Sequence, residues 1–230
     1  MAINTSTPQF GIALIEENGT VRTRILLPRL KGHFGTLIPT LDFVLTQSGA
    51  TMGDMKAVAV TSGPGSFTGL RVGLSLAKGL CRAHDLPLLG ISTMAAMANG
   101  APPSDLPVAP ILPSRKNEVF TALFEWKDDA ALVRVGEDTS LKIEDLPDVF
   151  RGPTLFVGND LRGQHPIIKK YLGEKAILAP PHYWQLDPVQ IGVLAMRRLK
   201  AGDVDDPSTL TPIYMRPPDI RPNPFPLLYE

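Results

Sequence analysis

The stretch from Ala57 to Arg82 restricts the possible folds of this chain more than any other segment. It begins with the apolar run Ala-Val-Ala-Val, passes through a turn of small residues, and continues as a run with helical periodicity. Such a succession is typical of a strand, a tight loop and a helix. The sequence therefore predicts an α/β protein with this strand-loop-helix unit at its centre.

The loop of this unit is a candidate binding site. Gly63 and Gly65 give the backbone freedom for a tight turn, Pro64 fixes one φ angle between them, and Ser66 or Thr68 can cap the following helix. A loop of this kind leaves unpaired N–H groups at a helix N-terminus, where an anion or a partner's carboxylate can bind. The spacing therefore places a possible anion site at the start of the helix.

The helix of this unit has a flank without bulky side chains. Small residues spaced by four line that flank, namely Gly69, Gly73 and Ala77, and larger apolar residues border it, namely Val72, Leu76 and Leu80. Residues four apart lie on one face of a helix, so another helix can approach this flank closely. Two interpretations stay open: a helix buried within its own domain, or a helix that presents one side to a partner.

The residues from Ser62 to Gly73 resemble the signature of the bacterial TsaB (YeaZ) family, which acts in making threonylcarbamoyladenosine in tRNA. Further similarity extends from about Thr5 to Arg216. The resemblance implies a two-lobed α/β architecture like that of actin, sugar kinases and Hsp70, with mixed, ribonuclease-H-like sheets flanked by helices. Because prolines cluster from residue 101 to 113, we expect an N-terminal lobe at 1–101 and a C-terminal lobe with a proline-rich tail at 102–230.

Composition limits the classes of function. The 230 residues carry 23 basic and 23 acidic side chains, without the basic surplus of a free-standing tRNA binder. The single cysteine, Cys81, excludes an intrachain disulfide and fits a reducing compartment. The sequence shows no secretory leader and no apolar run near the roughly 18 residues that cross a bilayer. We therefore expect a cytoplasmic protein that uses no membrane and contacts tRNA only through a complex.

The N-terminal turn Asn4-Thr5-Ser6 resembles the first hairpin of the actin-like superfamily, which holds a nucleotide phosphate. Family members commonly have aspartate where this chain has Asn4, and a magnesium nucleotide needs anionic oxygen ligands. We therefore expect no cofactor, with ATP or ADP as the alternative. The candidate anion or nucleotide loop comprises Thr5, Ser6, Gly63, Gly65 and Ser66, and the competing interpretation is a structural turn capped by hydroxyls.

Three further positions depart from the family pattern. Phe34 stands where serine is usual, and Asp160 replaces a glycine. Pro113 stands at the position of an aspartate, in a segment that keeps Arg115 and Glu118. Loss of that aspartate removes the carboxylate best suited to a metal or a phosphate, and we expect Arg115 and Glu118 to pair with each other.

The residue patterns of several enzyme classes are missing. The histidines at 33, 84, 165 and 182 are scattered, whereas the catalytic relative in the same pathway carries a histidine pair one helical turn apart. Neither a Walker loop nor a Gly-x-Ser-x-Gly nucleophile elbow is present. We therefore expect neither a catalytic residue nor a metal site in this chain.

The resemblance implies a non-catalytic subunit that supports a TsaD-type catalytic protein, together with a TsaE-type ATPase. The complex forms N6-threonylcarbamoyladenosine at position 37 of tRNAs that read codons beginning with A. The competing hypothesis is an active ATP-dependent phosphotransferase or ATPase of the actin-like superfamily.

The expected partner surface combines two helices. A periodic apolar pattern predicts the first of them before Gly49, where His33 is either an anchor for the partner or an exposed histidine. The same surface is expected to form a homodimer when the partner is absent. Replacing Gly73 by arginine is expected to abolish partner binding and to leave the fold intact. The expected interface residues are His33, Thr36, Leu37, Thr40, Leu41, Gly69, Val72, Gly73, Leu76 and Ala77.

Overall fold

The structure, a computed structural model, describes residues 1–28, 33–128 and 131–215. The expected proline-rich tail after residue 215 and the side chains of His33 and Phe34 lie outside the described residues. Within the described part, no helix combines the length and apolarity needed to span a bilayer. The strands are β1 (Ala2–Asn4), β2 (Gln9–Ile15), β3 (Val21–Pro28), β4 (Val58–Gly63), β5 (Leu88–Ser92), β6 (Val108–Pro113), β7 (Glu118–Thr121), β8 (Phe124–Asp128), β9 (Ala131–Arg134), β10 (Thr139–Lys142), β11 (Thr154–Gly158) and β12 (Ala176–Leu178). The α-helices are α1 (Leu37–Ser48), α2 (Phe67–His84), α3 (Thr93–Asn99), α4 (Leu146–Val149), α5 (Leu161–Leu172) and α6 (Pro188–Lys200).

The first lobe is built on a five-stranded sheet with the order β3-β2-β1-β4-β5. β1, β2 and β3 pair antiparallel, whereas β4 and β5 continue the sheet in parallel. The predicted strand-loop-helix unit is confirmed as β4, the glycine loop and α2. β1 lies between β2 and β4, and this order places the turn after β1 next to the loop after β4.

Helices cover both faces of this sheet. Side chains alternate along a strand, and the apolar cores follow that alternation. Val58 and Val60 face α2, whereas Ala59 between them faces the core that contains Ile191 of α6. α1 packs over β2 and β3 on the same face as α2. The layer formed by α1 and α2 therefore covers one face of the first sheet, and α6 covers the other.

The second lobe is built on a seven-stranded sheet. Its central path has the order β10-β7-β6-β11-β12, and β8 pairs with both β6 and β9. The sequence predicts one strand through residues 119–124, but the structure divides it into β7 and β8. The reason is that β7 pairs with the end of β6 at Leu112, whereas Phe124 of β8 pairs with Val108 at its start.

The last described part of the chain returns to the first lobe. α6 packs on β1, β2 and β5, and residues 203–215 follow the edge of β5 as far as the glycine loop. The chain leaves the first sheet near residue 101, as the proline cluster suggests, yet packing assigns residues 188–215 to the first lobe. The division into 1–101 and 102–230 stays a prediction, and α6 lies against the first sheet although it follows the boundary in the sequence.

Candidate functional site

The glycine loop after β4 lies directly against the turn that joins β1 and β2. The Ser66 amide donates a hydrogen bond to the Ser6 carbonyl oxygen at 2.8 Å. A Cβ added to Gly65 would lie 2.5 Å from that same oxygen, a separation that a real side chain does not tolerate. Gly65 is therefore required for the close approach of two backbone segments. Ser66 also caps α2 as predicted, because its hydroxyl accepts a hydrogen bond from the Gly69 amide at 3.2 Å.

Asn4 organises the neighbouring turn from within. Its Oδ1 accepts hydrogen bonds from the Ser6 amide at 3.1 Å and from the Ser6 hydroxyl at 3.0 Å. Its Nδ2 donates to Thr7 Oγ1 at 2.9 Å and to the Gln9 carbonyl at 3.2 Å. An aspartate cannot make the last two bonds, because a carboxylate has no N–H group. Asparagine in place of the family's aspartate thus allows the turn to be held by hydrogen bonds among its own residues.

The structure brings the five candidate loop residues together, but it packs them against one another. Thr5 and Ser6 are each 1% exposed, and Thr93 Oγ1 donates to the Ser6 hydroxyl at 3.1 Å. A Cβ on Gly63 would lie 2.5 Å from the carbonyl oxygen of Ile213. Both sides of the glycine loop are therefore in contact with the chain itself. This arrangement fits a structural turn better than a phosphate cradle.

The small-residue flank of α2 faces its own lobe. Thr5 fills the space beside it: a Cβ on Gly69 would overlap the Thr5 carbonyl oxygen, and a Cβ on Gly73 would overlap Thr5 Oγ1. Ala77 is fully buried in the core beneath α2. The β1–β2 turn of the same chain thus occupies this flank, and the expected role of the flank as a partner contact stays a prediction. The small residues allow a backbone segment to approach the helix closely, and in this structure that segment is the turn that contains Thr5.

The other expected interface residues divide by exposure. Thr36 is exposed, Val72 and Leu76 are half-buried, and the His33 side chain is outside the described residues. Leu37, Thr40 and Leu41 face the sheet, because they lie on the inner side of α1. Six of the ten expected residues are therefore buried within the lobe: Leu37, Thr40, Leu41, Gly69, Gly73 and Ala77.

Apolar side chains remain uncovered on the solvent side of the α1–α2 layer. Val72, Leu76 and Leu80 pack with one side on the core beneath α1 and stay partly exposed. On α1, Ile38 is 56% exposed and Phe43 is 51% exposed. We call these five residues the outer helix surface. The helical spacing predicts Leu80 beside the small flank, but it does not single out Phe43. Phe43 could have been found as an aromatic residue that lies away from the buried side of its helix.

Residues 203–215 form a strap that holds the glycine loop from outside. The Ile213 amide donates to the Ser62 carbonyl at 2.7 Å, and Arg71 Nε donates to the Tyr214 hydroxyl at 2.8 Å. The rings of Tyr214 and Phe67 lie 4.9 Å apart between centroids. The described end of the chain therefore belongs to the same site as the glycine loop.

An arginine of α6 anchors the start of the strap. Arg198 pairs with Asp203 at 2.7 Å and with Asp205 at 3.1 Å, and it donates to the Gly90 carbonyl at 2.9 Å. The Gly90 amide donates to Asp205 Oδ2 at 2.8 Å. The hydrogen bond from Arg198 is the main cause that lowers the pKa of Asp203 below its usual value. The strap is thereby fixed to the edge of β5.

The two lobes meet beside the N-terminal turn. Gln9 Nε2 donates to the Asn159 carbonyl at 3.3 Å, and Arg134 Nη2 donates to the Ser92 hydroxyl at 3.0 Å. Gln9 Oε1 and both polar atoms of the Asn159 side chain are buried without a hydrogen-bond partner among the described residues.

The departures in the second lobe have local structural roles. Asp160 caps α5, since its Oδ1 accepts a hydrogen bond from the Gly163 amide at 3.0 Å. Pro113 ends β6, and the turn after it is closed by the Glu118 amide, which donates to the Arg115 carbonyl at 3.1 Å. The expected side-chain pairing of Arg115 with Glu118 stays a prediction.

The single cysteine lies in the core beneath α2. Burial raises the pKa of the Cys81 thiol to about 11, so this cysteine is protonated and unreactive at neutral pH. Among residues 1–28, 33–128 and 131–215, no group of three or more histidine, cysteine, aspartate or glutamate side chains is arranged to hold a metal ion.

Comparisons with known proteins agree on one family. The family model described as "TsaD: tRNA N6-adenosine threonylcarbamoyltransferase" matches residues 27–212 of this chain. The tRNA threonylcarbamoyladenosine biosynthesis protein TsaB of Bacillus subtilis is 29% identical over 219 residues, which are 94% of this chain and 93% of that protein. The protein of the same name from Escherichia coli is 37% identical over 142 residues, which are 60% of this chain and 59% of that protein.

Solved structures share the fold. YeaZ from Pseudomonas aeruginosa matches with a TM-score of 0.77 at 22% identity, covering 93% of this chain and 98% of that one. The activator of 2-hydroxyisocaproyl-CoA dehydratase from Clostridium difficile, solved with bound ADPNP, matches with a TM-score of 0.52 at 10% identity, covering 87% of this chain and 95% of that one. The two-lobed, actin-like α/β architecture expected from the sequence is confirmed.

Proposed function

Because the chain belongs to the TsaB (YeaZ) group of the family that the TsaD model describes, we propose that it serves as a non-catalytic subunit in forming threonylcarbamoyladenosine in tRNA. The names of its relatives support the tRNA modification itself. The finer assignment is our own: the chain supports a TsaD-type catalytic protein, together with a TsaE-type ATPase. The modified base is the adenosine at position 37 of tRNAs that read codons beginning with A.

The observation that carries this proposal is the outer helix surface. A contiguous apolar patch on a monomeric protein marks an interaction site, and we propose that the outer helix surface forms such a patch. Ile38 and Phe43 are each more than half exposed. Burying a few hundred Å² of apolar surface contributes several kcal/mol, at about 25 cal/mol per Å², before the costs of association. The expected interface thus moves from the small flank of α2 to its larger apolar neighbours.

We propose that the same surface forms a homodimer when the chain is isolated. A patch formed by two helices on one face of a sheet can meet its own copy across a twofold axis. The TsaD-type partner then competes with the second copy for the outer helix surface. tRNA enters through the complex, because the chain carries equal numbers of basic and acidic side chains.

A reconstituted transfer assay tests the proposed function. The purified chain, the TsaD-type protein and the TsaE-type protein are combined with tRNA, ATP and a threonylcarbamoyl donor, and each protein is omitted in turn. We expect no modified adenosine from this chain alone and a large loss of product when it is omitted. Product formed by the chain alone, or an unchanged rate without it, contradicts the proposal.

The alternative function, an ATP-dependent phosphotransferase or ATPase, makes a separate prediction. Its site would lie between the N-terminal turn and the lobe junction, where Gln9 Oε1 and the Asn159 side chain lack partners among the described residues. The contact between the turn and the glycine loop works against it, since phosphates need open N–H groups. Titration calorimetry of the isolated chain with Mg-ATP distinguishes the two, because micromolar binding with turnover favours the enzyme.

A further inference from the structure

A basic pocket of about 460 Å³ lies in the second lobe, on elements separate from the outer helix surface. Lys116 comes from the turn between β6 and β7, Lys142 from the end of β10, and Lys170 from α5. Tyr171 of α5 also lines the pocket and is 36% exposed. Three elements distant in the sequence thus contribute three lysines and one tyrosine to the lining of a single depression.

The carboxylates in the pocket offset only part of this charge. Glu144 pairs with Lys142 at 3.3 Å, and Glu118 lies opposite Lys142 across the β7–β10 pair. Lys116 and Lys170 are exposed, and neither forms an ion pair among the described residues. α5 itself carries no acidic residue between 161 and 172. Two ammonium groups are therefore available to an anion.

The ring of Tyr171 adds a second kind of contact. Lys170 Nζ lies 5.1 Å from its ring centroid. Exposed aromatic rings beside lysines are typical of surfaces that bind single-stranded nucleic acid, where bases stack on the ring and phosphates meet the cations. An acidic peptide would use the cations, whereas an RNA strand would also place an unpaired base on the face of the ring. The combination favours RNA over an acidic protein segment.

We propose that this pocket binds the phosphate backbone of the RNA substrate, with Lys116 and Lys170 as phosphate contacts and Tyr171 as a stacking surface for an unpaired base. The inference rests on the proposed function, since it assigns the pocket to the tRNA that the complex modifies. The contact is auxiliary and independent of base sequence. It explains how a chain without a net basic charge can still help to hold RNA.

The test is a salt titration of tRNA binding by the complex of this chain with the TsaD-type protein. Fluorescence anisotropy of a labelled tRNA transcript gives the dissociation constant at KCl concentrations from roughly 50 to 200 mM. Over this range the release of counterions makes the affinity depend on salt. The double variant Lys116→Ser/Lys170→Ser should reduce the salt slope by about 1 to 2 and weaken binding several-fold, because each neutralised phosphate contributes about 0.9 to the slope. Tyr171→Ala should weaken binding by about fivefold or more without altering the slope.

Matched controls separate this pocket from general charge effects. Lys127→Ser/Lys200→Ser removes two exposed lysines from β8 and α6 and should leave the salt slope unchanged. An unchanged slope for the pocket variant overturns the inference. The inference is also overturned if the pocket variant loses binding to a polyglutamate peptide but binds tRNA as the wild type does. That result would assign the pocket to an acidic protein.

Assembly is measured first, so that the two proposals fail in different ways. If the wild-type chain does not co-elute with the TsaD-type protein, the proposed function fails. The titration is then run on the isolated chain at low salt, where equal slopes for wild type and variant still overturn the inference. If the wild type and the pocket variant both form the complex, then the difference between their salt slopes alone tests the inference.

Discussion

The two flanks of α2 differ in what covers them. The inner flank, with Gly69 and Gly73, is covered by Thr5 of the same chain. The outer flank, with Val72, Leu76 and Leu80, is only half-covered by the core beneath α1. Small residues on a helix therefore mark where a backbone approaches closely, and they do not tell which backbone. Large apolar side chains left half-exposed are the better indication of a partner.

The largest effect should follow from filling the inner flank. Gly73→Arg should destabilise the fold by about 3 kcal/mol or more, because its side chain has no space beside Thr5. This outcome replaces the expectation that the variant keeps its fold. Urea unfolding followed by circular dichroism measures the change in the free energy of unfolding.

Gly79 of the same helix supplies the control for that experiment. Apart from the adjoining residues and the nearby backbone of its own helix, no described atom lies within 4 Å of a Cβ added at this exposed position. Gly79→Arg should therefore match or exceed the stability of the wild type, since glycine is a poor helix former. If Gly73→Arg is as stable as Gly79→Arg, then the inner flank is open and the two flanks do not differ.

A smaller effect should follow from changing the turn that fills the inner flank. Asn4→Asp removes the two hydrogen bonds donated by Nδ2 and places a carboxylate beside two oxygen atoms. We expect a loss of about 1–3 kcal/mol in the free energy of unfolding, the cost of buried unpaired polar groups. The same change at the exposed hairpin residue Asn18 should cost little, since an aspartate there can still accept from the Thr20 amide. Equal losses at both sites would contradict a special role for Asn4.

The smallest effect concerns the strap that covers the glycine loop from outside. The Arg198 hydrogen bond lowers the pKa of Asp203 in the folded protein. The stabilisation of the fold by this hydrogen bond is therefore complete above the ordinary aspartate pKa of about 3.9. It is lost as the pH falls through the lowered pKa of Asp203 in the folded protein. Asp203→Asn should be slightly less stable than the wild type at pH 7, and the difference should shrink below about pH 4. Urea midpoints that differ equally at all pH values would contradict this pairing.

The sequence predicts the local elements well because their signals are local. The strand, glycine loop and helix from Ala57 to Arg82 follow from residue types within one segment, and so does the cap at Ser66. The occupant of the small flank could not be predicted in this way. Thr5 lies more than 60 residues before Gly69, and only the position of β1 between β2 and β4 brings them together.

The return of α6 to the first sheet is hidden for a similar reason. Its apolar pattern predicts the helix, but the pattern does not say which sheet the helix covers. Asn4 and Asp160 both depart from the family pattern. The structure gives each a local partner, Ser6 and Gly163, that no periodicity reveals.

The affinity of the outer helix surface for the TsaD-type protein is the most direct test of a partner at this face. Titration calorimetry compares the wild type with Leu76→Glu, a change at a half-buried position, and with Arg82→Glu on the exposed strip of the same helix. We predict that Leu76→Glu keeps its fold and weakens binding by more than about tenfold, since a buried unpaired charge costs several kcal/mol. Arg82→Glu should bind within about threefold of the wild type. Wild-type affinity of the Leu76→Glu variant would contradict the assignment of this surface to a partner.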